Sequence, residues 1–221
     1  MPKNERNGQR RKREERSQRK PELGYYYIVT DTKETEKNYM NGLRDSIPAA
    51  LQGRIVIKVV KKLTTELVDE AERLAALNPQ YSEPWILFDR DEVKDFDAII
   101  ALAESKDIKV AWTNPCIEEW FYAYFGEMPV SKNENKISQS CFDGFKIKFE
   151  QKTGKKYEKN DPYIYKNLIQ FGDEQAAITR AQQKYDEQLR IGRKKPSEMV
   201  PCTTVHKLIK EIKEKIQNSD T

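Results

Sequence analysis

The sequence predicts an α/β protein with a mainly parallel sheet flanked by helices and a helical C-terminal extension. Two observations carry that prediction. From residue 23 to about 127, short apolar, β-favouring runs alternate with helical stretches. Beyond Gly126 the pattern turns all-helical and more polar. Strands alternating with helices need crossover connections, which place helices on both faces of a parallel sheet.

The elements follow in order. Tyr25 to Val29 is a run of aromatic and β-branched residues, read as a buried strand. Asp31-Thr32 follows, then a helical stretch with Tyr39, Met40, Leu43 and Ile47 sharing one face. Arg54 to Val60 forms a second strand in which Ile55, Ile57 and Val59 alternate with the other face. Thr64 to Leu77 is a helix with Thr64 or Thr65 as its cap, stopped by Asn78-Pro79. Trp85 to Phe88 is a third strand ending directly in Asp89-Arg90-Asp91. Asp95 to Ser105 is a helix capped by Asp95, and Ile108 to Trp112 a fourth strand running into Thr113-Asn114-Pro115. An aromatic-rich helix spans Cys116 to Phe125. Four helices are expected beyond it, over Phe142–Lys152, Tyr163–Phe171, Glu174–Leu189 and Val205–Ile216.

Composition narrows the class. Of 221 residues, 37% are hydrophobic and 34% charged, so a modest core lies under a heavily solvated surface. The 3 Trp, 11 Tyr and 8 Phe argue against disorder throughout, because they supply large apolar pieces to bury. No apolar run approaches the roughly 20 residues of a membrane-spanning helix, and no apolar leader opens the chain. A soluble, cytoplasmic protein is expected. The three cysteines, Cys116, Cys141 and Cys202, are scattered, and His206 is the single histidine. Neither a disulfide framework nor a zinc site of four Cys or His ligands is expected. A metal here would be held by oxygen, which points to Mg²⁺ or Mn²⁺.

Charge is unevenly spread. Residues 3–20 carry nine Lys/Arg against three Glu, a surplus larger than the whole chain's +4, so the remainder is mildly acidic. Residues 1–22 lack a hydrophobic anchor and read as a disordered basic arm. Such an arm suits a nucleic-acid backbone through counterion release, and it serves equally as a solubilising tail. The expected organisation is this arm, an α/β core over residues 23–127 and a helical extension over 128–221 packed on the core.

Chemistry is expected where the strands end. In parallel sheets, ligands bind outside the carboxyl ends of the strands. Asp31 follows the first strand, and Asp89 and Asp91 follow the third. Residues two apart on an extended segment point to one side, so Asp89 and Asp91 can face one hard cation while Arg90 points elsewhere. Three converging carboxylates repel unless a metal neutralises them. The plain alternative is that Asp suits turns and helix caps. Cys116 reads as a buried structural thiol, and Asn114-Pro115 as a turn. Arg190, Arg193, Lys194 and Lys195 form a second basic cluster, suited to gripping a backbone or to a solvated loop.

Four segments carry a family resemblance. IVTDTKETEKNYMNGL resembles the opening motif of the RloB-like family, usually close to IVCEGEKTEPNYF. WILFDRDEV is similar to that family's strand ending in DRD or DRDD. VAWTNPCIEEWFYAYF is similar to its SNPCFEYWLLLHF segment, and PCTTVHKLIKEI to its PSTTVHKLV element. In order, they run from Ile28 to Ile212. RloB-like proteins are bacterial and resemble Toprim-type nucleases, in which a Glu after the first strand and a later DxD gather Mg²⁺ for phosphodiester cleavage. They commonly accompany an AAA-type ATPase in phage-defence or abortive-infection systems.

The resemblance thus implies a Toprim-like core and a nuclease effector acting on RNA, possibly tRNA, or on DNA. It implies an ATPase partner, and a homo-oligomer is compatible with it. Asp31, Asp89 and Asp91 are the implied metal ligands. Glu36 matches the opening motif's second acidic residue, and serves equally as a first-turn glutamate favoured by the helix dipole. Glu118 matches the Glu of NPCFE. His206 matches the VHK position, with an acid, base or phosphate-binding role set against a packing role. One departure stands out: where the family has Glu-Gly, this chain has Asp31-Thr32. The carboxylate is kept but is one methylene shorter, and Thr lacks the backbone freedom of Gly near a phosphate. That departure favours an alternative reading, a non-catalytic module docking on the ATPase or on a phage component.

Overall fold

The computed structural model describes residues 23–31, 34–60, 65–91, 93–127 and 137–219. The basic arm and Thr32 lie outside them. The first half alternates as expected: β1 (Tyr25–Thr30), α1 (Thr35–Ser46), a short α2 (Ala49–Gln52), β2 (Ile55–Val59), α3 (Glu66–Ala75), β3 (Ser82–Asp89), α4 (Phe96–Ser105), β4 (Lys109–Asn114) and α5 (Glu118–Ala123). The second half holds α6 (Ile137–Thr153), α7 (Ile164–Phe171), α8 (Glu174–Arg190), a 3-10 turn (Pro196–Glu198), β5 (Cys202–Thr203) and α9 (Val205–Ser219). No helix among the described residues is long and apolar enough to cross a membrane.

The sheet runs β2-β1-β3-β4-β5, with the first four strands parallel and β5 antiparallel. Alternation along each strand sorts the core into two layers. Tyr26, Ile28, Trp85, Leu87 and Ala111 face α1, α5 and the C-terminal helices. Tyr27, Val29, Ile86, Phe88 and Trp112 face α3 and α4. α3 meets the sheet with Leu67, Val68, Ala71 and Leu74, which share one helical face. α9 does the same on the opposite side with Val205, Leu208, Ile209 and Ile212, so residues beyond 128 share a core with the first half. α1 approaches α7 closely: a Cβ on Gly42 would stand 2.5 Å from the Cβ of Tyr165.

Two details differ from the sequence reading. Neither Thr65 nor Asp95 makes a side-chain capping hydrogen bond, and Thr64 lies outside the described residues. Asp173 does cap its helix, accepting from the Ala176 N–H at 2.9 Å. The second difference is β5. Cys202 and Thr203 pair with Asn114 and Thr113 on β4. The Trp112 N–H donates to Thr204 Oγ1 at 2.9 Å, and the Thr204 N–H donates to the Trp112 carbonyl at 2.8 Å. The Thr pair thus covers the edge of β4 that would otherwise be open.

Candidate functional site

The sheet reverses its strand order at β1. From there the chain passes outward to β2 on one side, then to β3 and β4 on the other. The crevice at such a reversal is where open α/β sheets take ligands. Asp31 immediately follows β1, and Asp89 is the last residue of β3. The two strands are hydrogen-bonded neighbours, with Thr30 paired to Leu87. Two residues on, Asp91 is exposed, and its N–H donates to the Pro115 carbonyl at 3.1 Å. The Arg90 N–H donates to Thr113 O at 2.9 Å, so the DRD segment is tied to the end of β4. Arg90 turns away, donating to the Ser197 carbonyl at 2.6 Å. Asn114 holds the same 3-10 turn, donating to the carbonyls of Pro196 and Ser197 at 3.0 and 3.2 Å.

Two helices add carboxylates from their first turns. Glu36 on α1 and Glu118 on α5 are each 1% exposed. Tyr157 Oη donates to Glu118 Oε1 at 2.9 Å. Burial raises the Glu36 carboxyl well above the usual range, and the charges of Asp89, Asp31 and Glu118 add to the rise. Asp89 is raised for the same reasons, with Asp31, Asp91 and Glu118 as the charges. Five of the six acidic or histidine positions anticipated from sequence therefore act on one another: Asp31, Glu36, Asp89, Asp91 and Glu118.

His206 stands apart. It is buried at the first turn of α9, and its Nε2 lies 3.1 Å from Gln182 Oε1 on α8. Burial lowers its pKa to about 4, and the nearby charges are Lys207, Asp186 and Lys210, not the carboxylate cluster. Arg193, from the second basic cluster, folds back onto buried Gln188 at 2.7 Å. The Cys116 thiol is buried and pushed up by a hydrogen bond with Cys141, by burial and by Glu118, as suits an inert thiol.

Sequence reasoning missed Lys159. It lies on the segment between α6 and α7, where its side chain is exposed and feels the charges of Glu118, Cys116, Asp89 and Asp91. It lies in the polar stretch GKKYEKND, where nothing in the spacing sets one lysine apart.

The profile of the family described as RloB-like protein matches residues 26–212. The chain belongs to the RloB-like family. Neither the curated proteins nor the solved structures give a match. In this RloB-like protein the donors are all carboxylate oxygens, which suit a hard dication such as Mg²⁺ or Mn²⁺. Among the described residues, no three His, Cys, Asp or Glu side chains converge closely enough to hold one ion as they stand. Donor chemistry fits the metal. Side-chain convergence would require rotation of the carboxylates toward a shared charge.

Proposed function

We propose that this RloB-like protein is a Mg²⁺- or Mn²⁺-dependent Toprim-like nuclease that hydrolyses phosphodiesters of RNA, possibly tRNA, or of DNA. Its place would be that of the effector in a phage-defence system coupled to an AAA-type ATPase. The observation that supports this best is the pairing of Asp31 and Asp89 at the ends of adjacent parallel strands, at the reversal of strand order, with Glu36 and Glu118 buried beside them.

Asp31, Asp89 and Asp91 would hold the metal, which supplies charge neutralisation at the phosphate and a more acidic water. The protein's own part is positional. Backbone bonds from the DRD segment to the Thr113 and Pro115 carbonyls fix Asp89 and Asp91 on rigid strand ends. Tyr157 keeps one Glu118 oxygen engaged and so orients that carboxylate. Glu36, its carboxyl raised by burial and by the charges of Asp89 and Asp31, stands buried beside them.

A second reading is a non-catalytic module that docks on the ATPase or on a phage component. The lack of three converged donors among the described residues favours it. Induced expression with and without the neighbouring ATPase, comparing wild type with Asp89→Ala/Asp91→Ala and sequencing cellular RNA and DNA, separates the two. Toxicity with cut nucleic acid, abolished by the double substitution, supports the nuclease. Defence that persists in the double variant with nucleic acids intact rejects it.

A further inference from the structure

An acidic site that works on a polyanion faces a physical difficulty. Its carboxylates repel the very phosphates it must admit, so a cation is needed on the substrate side. One side chain is placed for that role.

After α6 the chain runs back across the mouth of the site as a strap. Tyr157 is buried in the strap, its ring 4.7 Å from Phe145 and 5.7 Å from Phe142, while its hydroxyl reaches Glu118. Two residues on, Thr35 Oγ1 of α1 donates to the Lys159 carbonyl at 3.0 Å, and Asn38 Nδ2 donates to the Asn160 carbonyl at 3.1 Å. The backbone at Lys159 is therefore held on both sides, and its side chain is presented from a fixed base. Its ammonium lies 5.3 Å from the centre of the Phe142 ring. It feels Glu118, Asp89 and Asp91, yet among the described residues it makes no ion pair and no side-chain hydrogen bond. Lysines elsewhere in this chain in comparable surroundings are paired, as Lys213 is with Glu174 at 3.1 Å and Lys109 with Glu83 at 2.9 Å. Lys159 also lines a cleft of about 1010 Å³, together with Asp91, Asn114 and Phe142. The cleft opens beside the carboxyl ends of β3 and β4.

We infer that Lys159 is a substrate-contacting residue whose ammonium takes a non-bridging oxygen of the phosphodiester, with the polynucleotide strand lying in the adjoining cleft. This rests on the nuclease reading and adds to it the residue that admits the phosphate. A lysine suits the task because it offers a compact point charge with three donors, none committed to a partner among the described residues.

The test uses full-length protein with Ca²⁺ in place of Mg²⁺ and short fluorescein-labelled single strands of mixed sequence, RNA and DNA in separate arms. Anisotropy is read across a salt series, and the Mn²⁺-induced rise in melting temperature is read in parallel. Lys159→Met should weaken binding about tenfold, the scale of one charge-assisted hydrogen bond. It should also flatten the salt dependence by about 0.7 in log–log slope, one phosphate contact on a single strand. Lys159→Arg should restore both, and the Mn²⁺ response should persist in each variant. Should the Met variant fail to fold, Lys159→Gln carries the same expectations. Wild-type affinity and slope in the folded Met or Gln variant overturn the inference. Wild type that responds to Mn²⁺ but binds neither strand overturns it while leaving the metal site standing. Wild type that does neither overturns both readings together.

Discussion

The two ends of the sheet treat charge in opposite ways. At the amino ends of β3 and β4, Lys109 meets Glu83 and Glu211, each at 2.9 Å, and Lys215 also binds Glu83. Tyr26 Oη donates to Glu211 at 2.9 Å. Burial pushes the Glu83 carboxyl up, but the hydrogen bonds from Lys215 and Lys109 outweigh it and hold the group below its usual value. At the carboxyl ends, Glu118, Asp89 and Asp91 act on Lys159, and Asp89 and Glu36 are pushed up instead. Charge that serves only the fold is balanced within the chain. Carboxylates that raise one another at a strand-order reversal cost stability in the protein alone, and a bound cation would relieve that cost.

The strongest way to break this contrast is at Asp89. Asp89→Asn should reduce nuclease activity at least about a hundredfold, the scale of losing one preorganised charged group, measured as cleavage of labelled RNA and DNA. It should also raise the melting temperature of the metal-free protein, because it removes one repelling carboxylate. The sign with pH follows from the raised carboxyls. Their stabilisation is full below the ordinary carboxylate range and is lost as pH rises through the raised values, so metal-free wild type weakens toward alkaline pH. Added Mn²⁺ should reverse that loss in wild type but not in Asp89→Asn. Equal Mn²⁺ responses in the two proteins would sink the metal site.

His206 sharpens the contrast, because it belongs to neither end. Buried and neutral, with its pKa lowered to about 4, it stabilises the fold fully above its unfolded value of about 6.5. That stabilisation is lost as pH falls toward 4, up to about 3 kcal/mol. Urea midpoints between pH 4 and 7 should show this slope in wild type and lose it in His206→Gln. A smaller effect is expected from Lys109→Met, which leaves Glu83 and Glu211 with less compensation. Because those side chains are partly exposed, the cost should be about 1–2 kcal/mol, without change in the Mn²⁺ response. A changed Mn²⁺ response would show that the two ends are coupled.

How much of this was legible depended on which forces wrote it. The inner strands were visible because strands buried on both faces must be apolar throughout, as Trp85 to Phe88 is, and the edge strand β2 by its alternation. The strand-end acids were visible for the complementary reason: Asp89 and Asp91 break an apolar run abruptly. β5 was not, since two residues, Cys202 and Thr203, give no periodicity. Lys159 was invisible because its role comes from tertiary ties, Thr35 and Asn38 to the strap, that no local pattern encodes. Of the two roles the sequence allowed His206, its burial against Gln182 supplies the packing one.

The finest test lies between two adjacent residues. Glu118 and Glu119 both occupy the first turn of α5 and both are buried, but successive helical side chains point about 100° apart. Glu118 faces the carboxylate cluster. Glu119 faces Lys184, and burial raises its pKa to about 8 despite that lysine. One oxygen, Oε2, has no hydrogen-bond partner among the described residues. The stabilisation from keeping Glu119 protonated is complete below about 4.5 and lost as pH rises through 8. Glu119→Gln, which cannot ionise, should therefore gain stability over wild type between pH 4.5 and pH 8, up to about 4 kcal/mol. Cleavage should be unchanged, since the residue lies on the other side of the helix from the carboxylate cluster. Glu118→Gln should lower the proposed cleavage activity. If the two substitutions behave alike, the boundary drawn through α5 between fold and site is wrong.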